Sequence, residues 1–133
     1  MTTATLNKVE KTCEELIDQK YDERFHQFHD AYELMSSETP EIYTQYKDYN
    51  DFWDYLNQNI LSFDYVEPNT FNNQSEGYWR LQFSWGGPSD EIRCYIGEGD
   101  NVREIYYVYM DWFDGASVRV VDYIWRTIYE NIR

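Results

Sequence analysis

Between Thr5 and about Met35 the chain carries no Gly or Pro. Leu6, Val9, Cys13, Leu16, Ile17, Tyr21, Phe25, Phe28, Tyr32 and Met35 recur there at intervals close to three and four. That spacing is the apolar stripe of an amphipathic helix. Such a helix is long for a small domain, and the pattern admits a break near Gln19–Asp22. Ser36 to Pro40 interrupts the stripe. Thr39-Pro40-Glu41 then predicts a new helix start: a capping hydroxyl, a proline at the first helical position and an acid in the first turn. Tyr43, Tyr46, Phe52, Trp53, Leu56 and Ile60 predict one or two further helical segments, with Asn50 or Asp51 opening the second.

The period changes after Leu61. Phe63 to Val66 reads as a short strand, and Glu67 to Gly77 is a loop rich in turn residues. Trp79, Leu81, Phe83 and Trp85 alternate with Tyr78, Arg80, Gln82 and Ser84. This period of two predicts a strand. The turn Gly86–Asp90 leads to a second alternation, Ile92, Cys94 and Ile96. The turn Gly97–Asn101 leads to a third strand, Ile105 to Trp112, rich in β-branched and aromatic residues. From Ala116 to Arg133, Val118, Val121, Trp125, Ile128 and Ile132 fit one helical face, although Val118–Trp125 also reads as a strand. The expected fold class is α+β: N-terminal helices, a three- to four-stranded antiparallel meander and a C-terminal helix. Residues 1–133 form one domain, with 1–60 mainly helical and 61–133 sheet plus closing helix.

Composition sharpens this picture through charge. Eleven Lys and Arg face 25 Asp and Glu, a net charge of −14, while aromatic residues make up 20%. The aromatics suffice for a packed interior, and no apolar run is long enough to span a bilayer. The first twenty residues lack the apolar core of a secretory signal, so a cytoplasmic protein is expected, in the host cell if phage- or plasmid-encoded. Cys13 and Cys94 have no metal-ligand spacing and are too few for a disulfide framework. The acid excess is uneven. Residues 1–20 carry −1, residues 21–76 carry −10 and residues 77–133 carry −3. Direct binding to nucleic acid or to anionic membranes is disfavoured, and a basic protein partner is favoured.

Local motifs for catalysis are weak. Glu23-x-x-His26 is half of a di-iron motif whose other half is missing, because His26 and His29 are the only histidines. The Gly-rich segments Gly86–Pro88 and Gly97–Gly99 lack the following helix and lysine of a phosphate loop. The lysines at 8, 11, 20 and 47 all precede the sheet, so an acid–acid–lysine nuclease site around Asp90–Arg93 lacks its lysine. No metal, cofactor or catalytic residue is assigned. The segment Tyr109–Ser117, YMDWFDGAS, reads as a corner in which Trp112 ends a strand and Asp114 caps the C-terminal helix, with Gly115 easing the bend. Asp111 would need a partner such as Arg80 or Arg93 if its face were buried.

One pattern rises above this background. Glu10, Glu14, Asp18 and Asp22 follow one another at i, i+4, about 6 Å apart along a helix. Such like-charge pairs each destabilise a helix by roughly 0.2–0.5 kcal/mol. Asp30, Glu33, Glu38, Glu41, Asp48, Asp51 and Asp54 continue the acid run, with Tyr46, Tyr49 and Trp53 interleaved. Charge spacing, size and aromatic content here resemble small acidic DNA-mimic inhibitors of phages and mobile elements, of the anti-restriction and anti-CRISPR type. The resemblance is to a class without a shared fold or diagnostic motif. It implies a basic nucleic-acid-handling partner, contacted by Glu10, Glu14, Asp18, Asp22, Asp30, Glu33, Glu41, Asp48, Asp51, Asp54, Tyr46 and Tyr49. Two alternatives stand beside it: an immunity- or antitoxin-like protein against a basic toxin enzyme, and a small ligand-binding or enzymatic α+β domain. The sequence leaves monomer and homodimer open.

Overall fold

A computed structural model describes residues 11–37 and 44–132. Leu6, Val9, Glu10, Glu38, the Thr39-Pro40-Glu41 start and Tyr43 lie outside those residues. Helix α1 spans Cys13–Met35 without interruption. Its N-cap is Thr12, whose hydroxyl accepts from the Glu15 amide while the Glu15 side chain returns to the Thr12 amide. This reciprocal capping box fixes the start of the helix at Cys13. No break occurs at Gln19–Asp22, because Tyr21 keeps the packed stripe continuous, its ring 5.4 Å from Tyr107 and 6.2 Å from Trp125. A short 3₁₀ turn, Thr44–Tyr46, precedes α2, Phe52–Asn59, capped by Asp51.

The sheet has five antiparallel strands in sequence order, where the sequence predicts three or four. They are β1 Ser62–Val66, β2 Tyr78–Ser84, β3 Ser89–Ile96, β4 Val102–Asp111 and β5 Asp114–Val120. The extra strand comes from the segment assigned above to the start of the C-terminal helix. Asp111 pairs with Asp114 across a two-residue turn, and Val118 and Val120 then lie opposite Tyr107 and Ile105. Ser117 and Arg119, which alternate with them, are exposed, so period two wins. The helical reading needs Val121 inside, yet Val121 is 85% exposed. Helix α3 begins only at Tyr123 and ends at Ile132, burying Ile124, Trp125, Ile128 and Tyr129.

All three helices cover one face of the sheet. Leu81, Ile92, Tyr107 and Val118 form a cross-strand row on that face. Onto it pack Ile17, Phe28 and Ala31 of α1 and Trp125 and Ile128 of α3. Phe28 stacks on Phe83, 5.2 Å between ring centres, and meets Tyr55 of α2 edge-on. A fully buried apolar side chain of this size contributes about 1.5–3 kcal/mol. The packed stripe therefore outweighs repulsion within the acid row of α1, a few tenths of a kcal/mol per pair. Among the described residues no helix is long and apolar enough to cross a membrane.

Candidate protein-interaction surface

The solvent side of α1 carries the acids. Glu14, Asp18, Asp22, Asp30 and Glu33 are all exposed. Glu14, Asp18, Asp22 and Asp30 fall on one i, i+4 row inclined across the helix, and Glu33 follows Asp30 by three residues. His26 fills the one gap, its ring nitrogens 3.5 Å from Asp22 and 3.5 Å from Asp30. His29 lies beside Asp30 and Glu33, and Glu33 also accepts from the Tyr123 hydroxyl. Among the described residues no Lys or Arg forms an ion pair with these five carboxylates. Glu10 and Glu41 lie outside the described residues.

The acids and tyrosines around α2 have other employment. Asp51 accepts from the Asp54 amide at 2.9 Å, and Asp54 accepts from the Asn50 amide at 3.0 Å and from Gln58 at 2.9 Å. The amide bond from Asn50, then that from Gln58, holds the Asp54 carboxyl below the usual range. Asp51 is the N-cap of α2, and Asp54, in its first turn, ties Asn50 to the helix. Asp48 is exposed. Tyr46 and Tyr49 are half-buried and stand edge-on against Tyr55, at 5.3 and 4.9 Å.

The single arginine of α1 turns inward and locks the helix to the sheet. Arg24 grips the buried Asp90 of β3 with Nε at 2.7 Å and Nη2 at 3.1 Å. Asp90 also accepts from the Tyr107 hydroxyl at 2.7 Å and from Ser84. Burial, then the Asp90 charge, drives the Tyr107 hydroxyl far above its ordinary pKa, so it remains a donor. A polar recess of about 230 Å³ beside this network is lined by Lys20 and Glu23 as well as Asp90. The fold thus brings a lysine to the Asp90 segment that the sequence leaves without one. With its oxygens taken by Arg24, Tyr107 and Ser84, however, Asp90 acts as a tether. Tyr21 adds a second lock, bonded to Asp122 and accepting from Trp125 Nε1 at 2.9 Å.

Neither cysteine is an activated nucleophile. Burial raises the Cys94 thiol to about 12, and burial together with Asp114 raises Cys13. Among the described residues no group of three His, Cys, Asp or Glu side chains could hold a metal ion.

The YMDWFDGAS segment is a hairpin end. Asp111 and Asp114 pair across the tip, leaving Trp112 86% and Phe113 fully exposed. Asp114 does not cap α3. Its carboxylate accepts from the amide of Cys13 at 2.7 Å, at the other end of the chain. It caps the first turn of α1, which has free amides and a positive dipole end. That bond holds the Asp114 carboxyl below the usual range. Asp111 has neither Arg80 nor Arg93 beside it. Both arginines project from the opposite face of the sheet, where Arg80 pairs with Asp64 at 2.9 Å and Arg93 with Glu91 at 2.6 Å.

The neighbouring hairpin presents a third aromatic. The register shifts between Gln82 and Ser84, β2 ends at Ser84, and Trp85 leaves the inward alternation to stand 74% exposed. A cleft of about 390 Å³ runs between Trp85 and Trp112, floored by Gly87, Ser89 and Met110. A side chain at Gly87 would lie 3.3 Å from the Trp112 indole nitrogen, so the approach suits glycine. These aromatics escape sequence reasoning because period two places Trp85 in the core. Their one signal is large aromatics inside turn segments, SWGG and DWFDG. Comparison with protein-family models, with curated proteins and with solved structures finds no match for this chain.

Proposed function

We propose that this protein is an acidic inhibitor that copies the charge line of a nucleic-acid strand and occupies the basic binding surface of a nucleic-acid-handling protein, in the manner of anti-restriction or anti-CRISPR proteins. One observation carries the reading: the exposed carboxylates Glu14, Asp18, Asp22, Asp30 and Glu33 rise along α1 with no Lys or Arg paired to them among the described residues. The steps Glu14–Asp18 and Asp18–Asp22, about 6 Å each, are on the scale of successive phosphates, and a groove built for that line releases its counterions to the mimic as to DNA. Binding, not catalysis, is the activity, and the cytoplasm is where it acts. Direct contact with nucleic acid or an anionic membrane is opposed by the charge of −14.

A second reading draws on the aromatic hairpin end. Trp112 and Phe113 stand between Asp111 and Asp114, and Asp114 holds the amide of Cys13, the chain neighbour of Glu14. Protruding aromatics ringed by acids suit an immunity-like protein that blocks a basic toxin enzyme without copying DNA.

The test is capture of the partner from host lysate at low salt, followed by competition against DNA. Binding that weakens steeply with salt and is displaced by DNA supports mimicry. Neutralising Glu14, Asp18, Asp22, Asp30 and Glu33 together is expected to cost about a hundredfold in affinity, at roughly 0.5 kcal/mol per exposed pair. The circular dichroism of that variant should match the parent. Undiminished inhibition by the folded variant overturns the proposal, and inhibition with no DNA competition selects the toxin reading.

A further inference from the structure

We infer that Trp85, Trp112 and Phe113, at the ends of two adjacent hairpins, form an apolar anchor that enters an apolar pocket rimmed by Lys or Arg on a protein partner. The inference rests on the partner being basic, as proposed above, but not on its binding nucleic acid.

Three observations converge on it. First, large aromatics are rarely left in water without use. Here three stand at the same end of the sheet, 74%, 86% and 104% exposed, and the two tryptophans flank one open cleft. Trp is among the residues that dominate binding energy at protein interfaces. Second, Trp112 holds φ at +58°, in the left-handed region that a bulky residue avoids. A Gly or Asn would occupy this turn at lower conformational cost. A strained, exposed indole contributes little to folding, and such strain concentrates at binding sites. Third, charge selects the occupant. Asp111 and Asp114 flank the tip, and the Asp114–Cys13 bond sets it against the first turn of α1, which carries Glu14 of the acid row. A second copy of the chain would bring these acids against their own kind, and an anionic bilayer would repel them. A basic protein gains from both parts: its charges meet the row, and its pocket takes the aromatics. Charge mimicry alone has no use for the second part.

The test uses the full chain and three probes: a synthetic peptide of alternating Lys and Leu, an all-Lys peptide of equal charge, and neutral phosphatidylcholine vesicles. Affinity is measured by calorimetry. Trp85 and Trp112 themselves report burial through emission wavelength and acrylamide quenching. The Lys–Leu peptide is expected to bind about tenfold tighter than the all-Lys peptide, with a blue shift and reduced quenching. The triple variant Trp85→Ala, Trp112→Ala, Phe113→Ala should lose that advantage and bind both peptides as the parent binds all-Lys. The single variant Trp112→Gly, which suits the turn, should lose part of it while folding normally. An advantage retained by the triple variant overturns the inference. So does an equal blue shift with neutral vesicles, which would mark a lipid anchor, or a parent dimer in sedimentation that the triple variant dissolves. The two proposals fail separately. Loss of DNA competition leaves the anchor standing, and tips that do not matter leave the mimicry standing.

Discussion

The two faces of the sheet handle polar groups in opposite ways. On the face under the helices, Asp90 is enclosed by Arg24, Tyr107 and Ser84, and each bond reaches across elements. On the open face, Arg80, Arg93 and Arg103 each pair with nearby acids: Asp64, Glu91 and Glu76. Asp90 and Glu91 are chain neighbours, both buried, yet the strand pleat sends them to opposite faces and to different arginines. Three of the sheet's four arginines are thus paired with nearby acids, Arg119 of β5 stands exposed, and the one arginine of α1 is held by Asp90. The net negative charge is left on the outer side of α1, which is where the proposed partner would meet it.

The contrast can be broken most sharply at the arginines. Arg24→Ala strips the buried Asp90 of its counter-charge and should cost about 3 kcal/mol in chemical denaturation. Arg80→Ala removes a pair whose Asp64 side chain is 47% exposed, and should cost at most about 1 kcal/mol. Equal losses would mean that the two faces do not differ in the way described. Two fully buried tyrosines give a finer version. Tyr107→Phe deletes the bond to Asp90 and should cost about 1–2 kcal/mol. The Tyr78 hydroxyl, under the Arg93 guanidinium, has no partner among the described residues. Tyr78→Phe should therefore leave stability unchanged or slightly raised.

Smaller effects are expected where sheet and α1 meet. The Asp114 carboxyl is held below its ordinary value by the Cys13 amide. A depressed acid stabilises fully above its unfolded value, about 3.9, and that contribution is lost as pH falls through the lower folded value. Asp114→Asn should thus lower the melting temperature at neutral pH and narrow the gap to the parent in strong acid. A constant gap at all pH values would show that the bond is not a charged cap. The smallest effect belongs to Trp112→Gly. Relief of the left-handed strain should leave the fold as stable or up to about 1 kcal/mol more stable, while docking weakens. Lost stability there would mean that the indole serves folding.

Most elements were legible because their signals are local. The stripe of α1, the alternation of β2, β3 and β4 and the cap at Asp51 each follow from residues within a few positions. Val118–Trp125 was not legible because it satisfies both periods. Only the pairing with β4 decides between them, through Val118 against Tyr107 and Val120 against Ile105. Trp85 was misassigned because a register shift ends the alternation one residue early. Within the candidate surface, the exposure of the α1 acids was readable from helical spacing. The embedding of Tyr46 and Tyr49 against Tyr55 was not, since it depends on how the 3₁₀ turn and the residues after it fold back onto α2.

By itself the sequence determined the acid row, the α+β succession of periods and the excess of charge before the sheet, all consequences of covalent order and helix or strand geometry. The tertiary structure decided which charges remain unpaired and which aromatics remain in water. Arg24 meets Asp90 across 66 positions and Asp114 meets Cys13 across 101. Contacts of that separation form only once the core has packed, because hydrophobic burial, not chain proximity, holds their partners together.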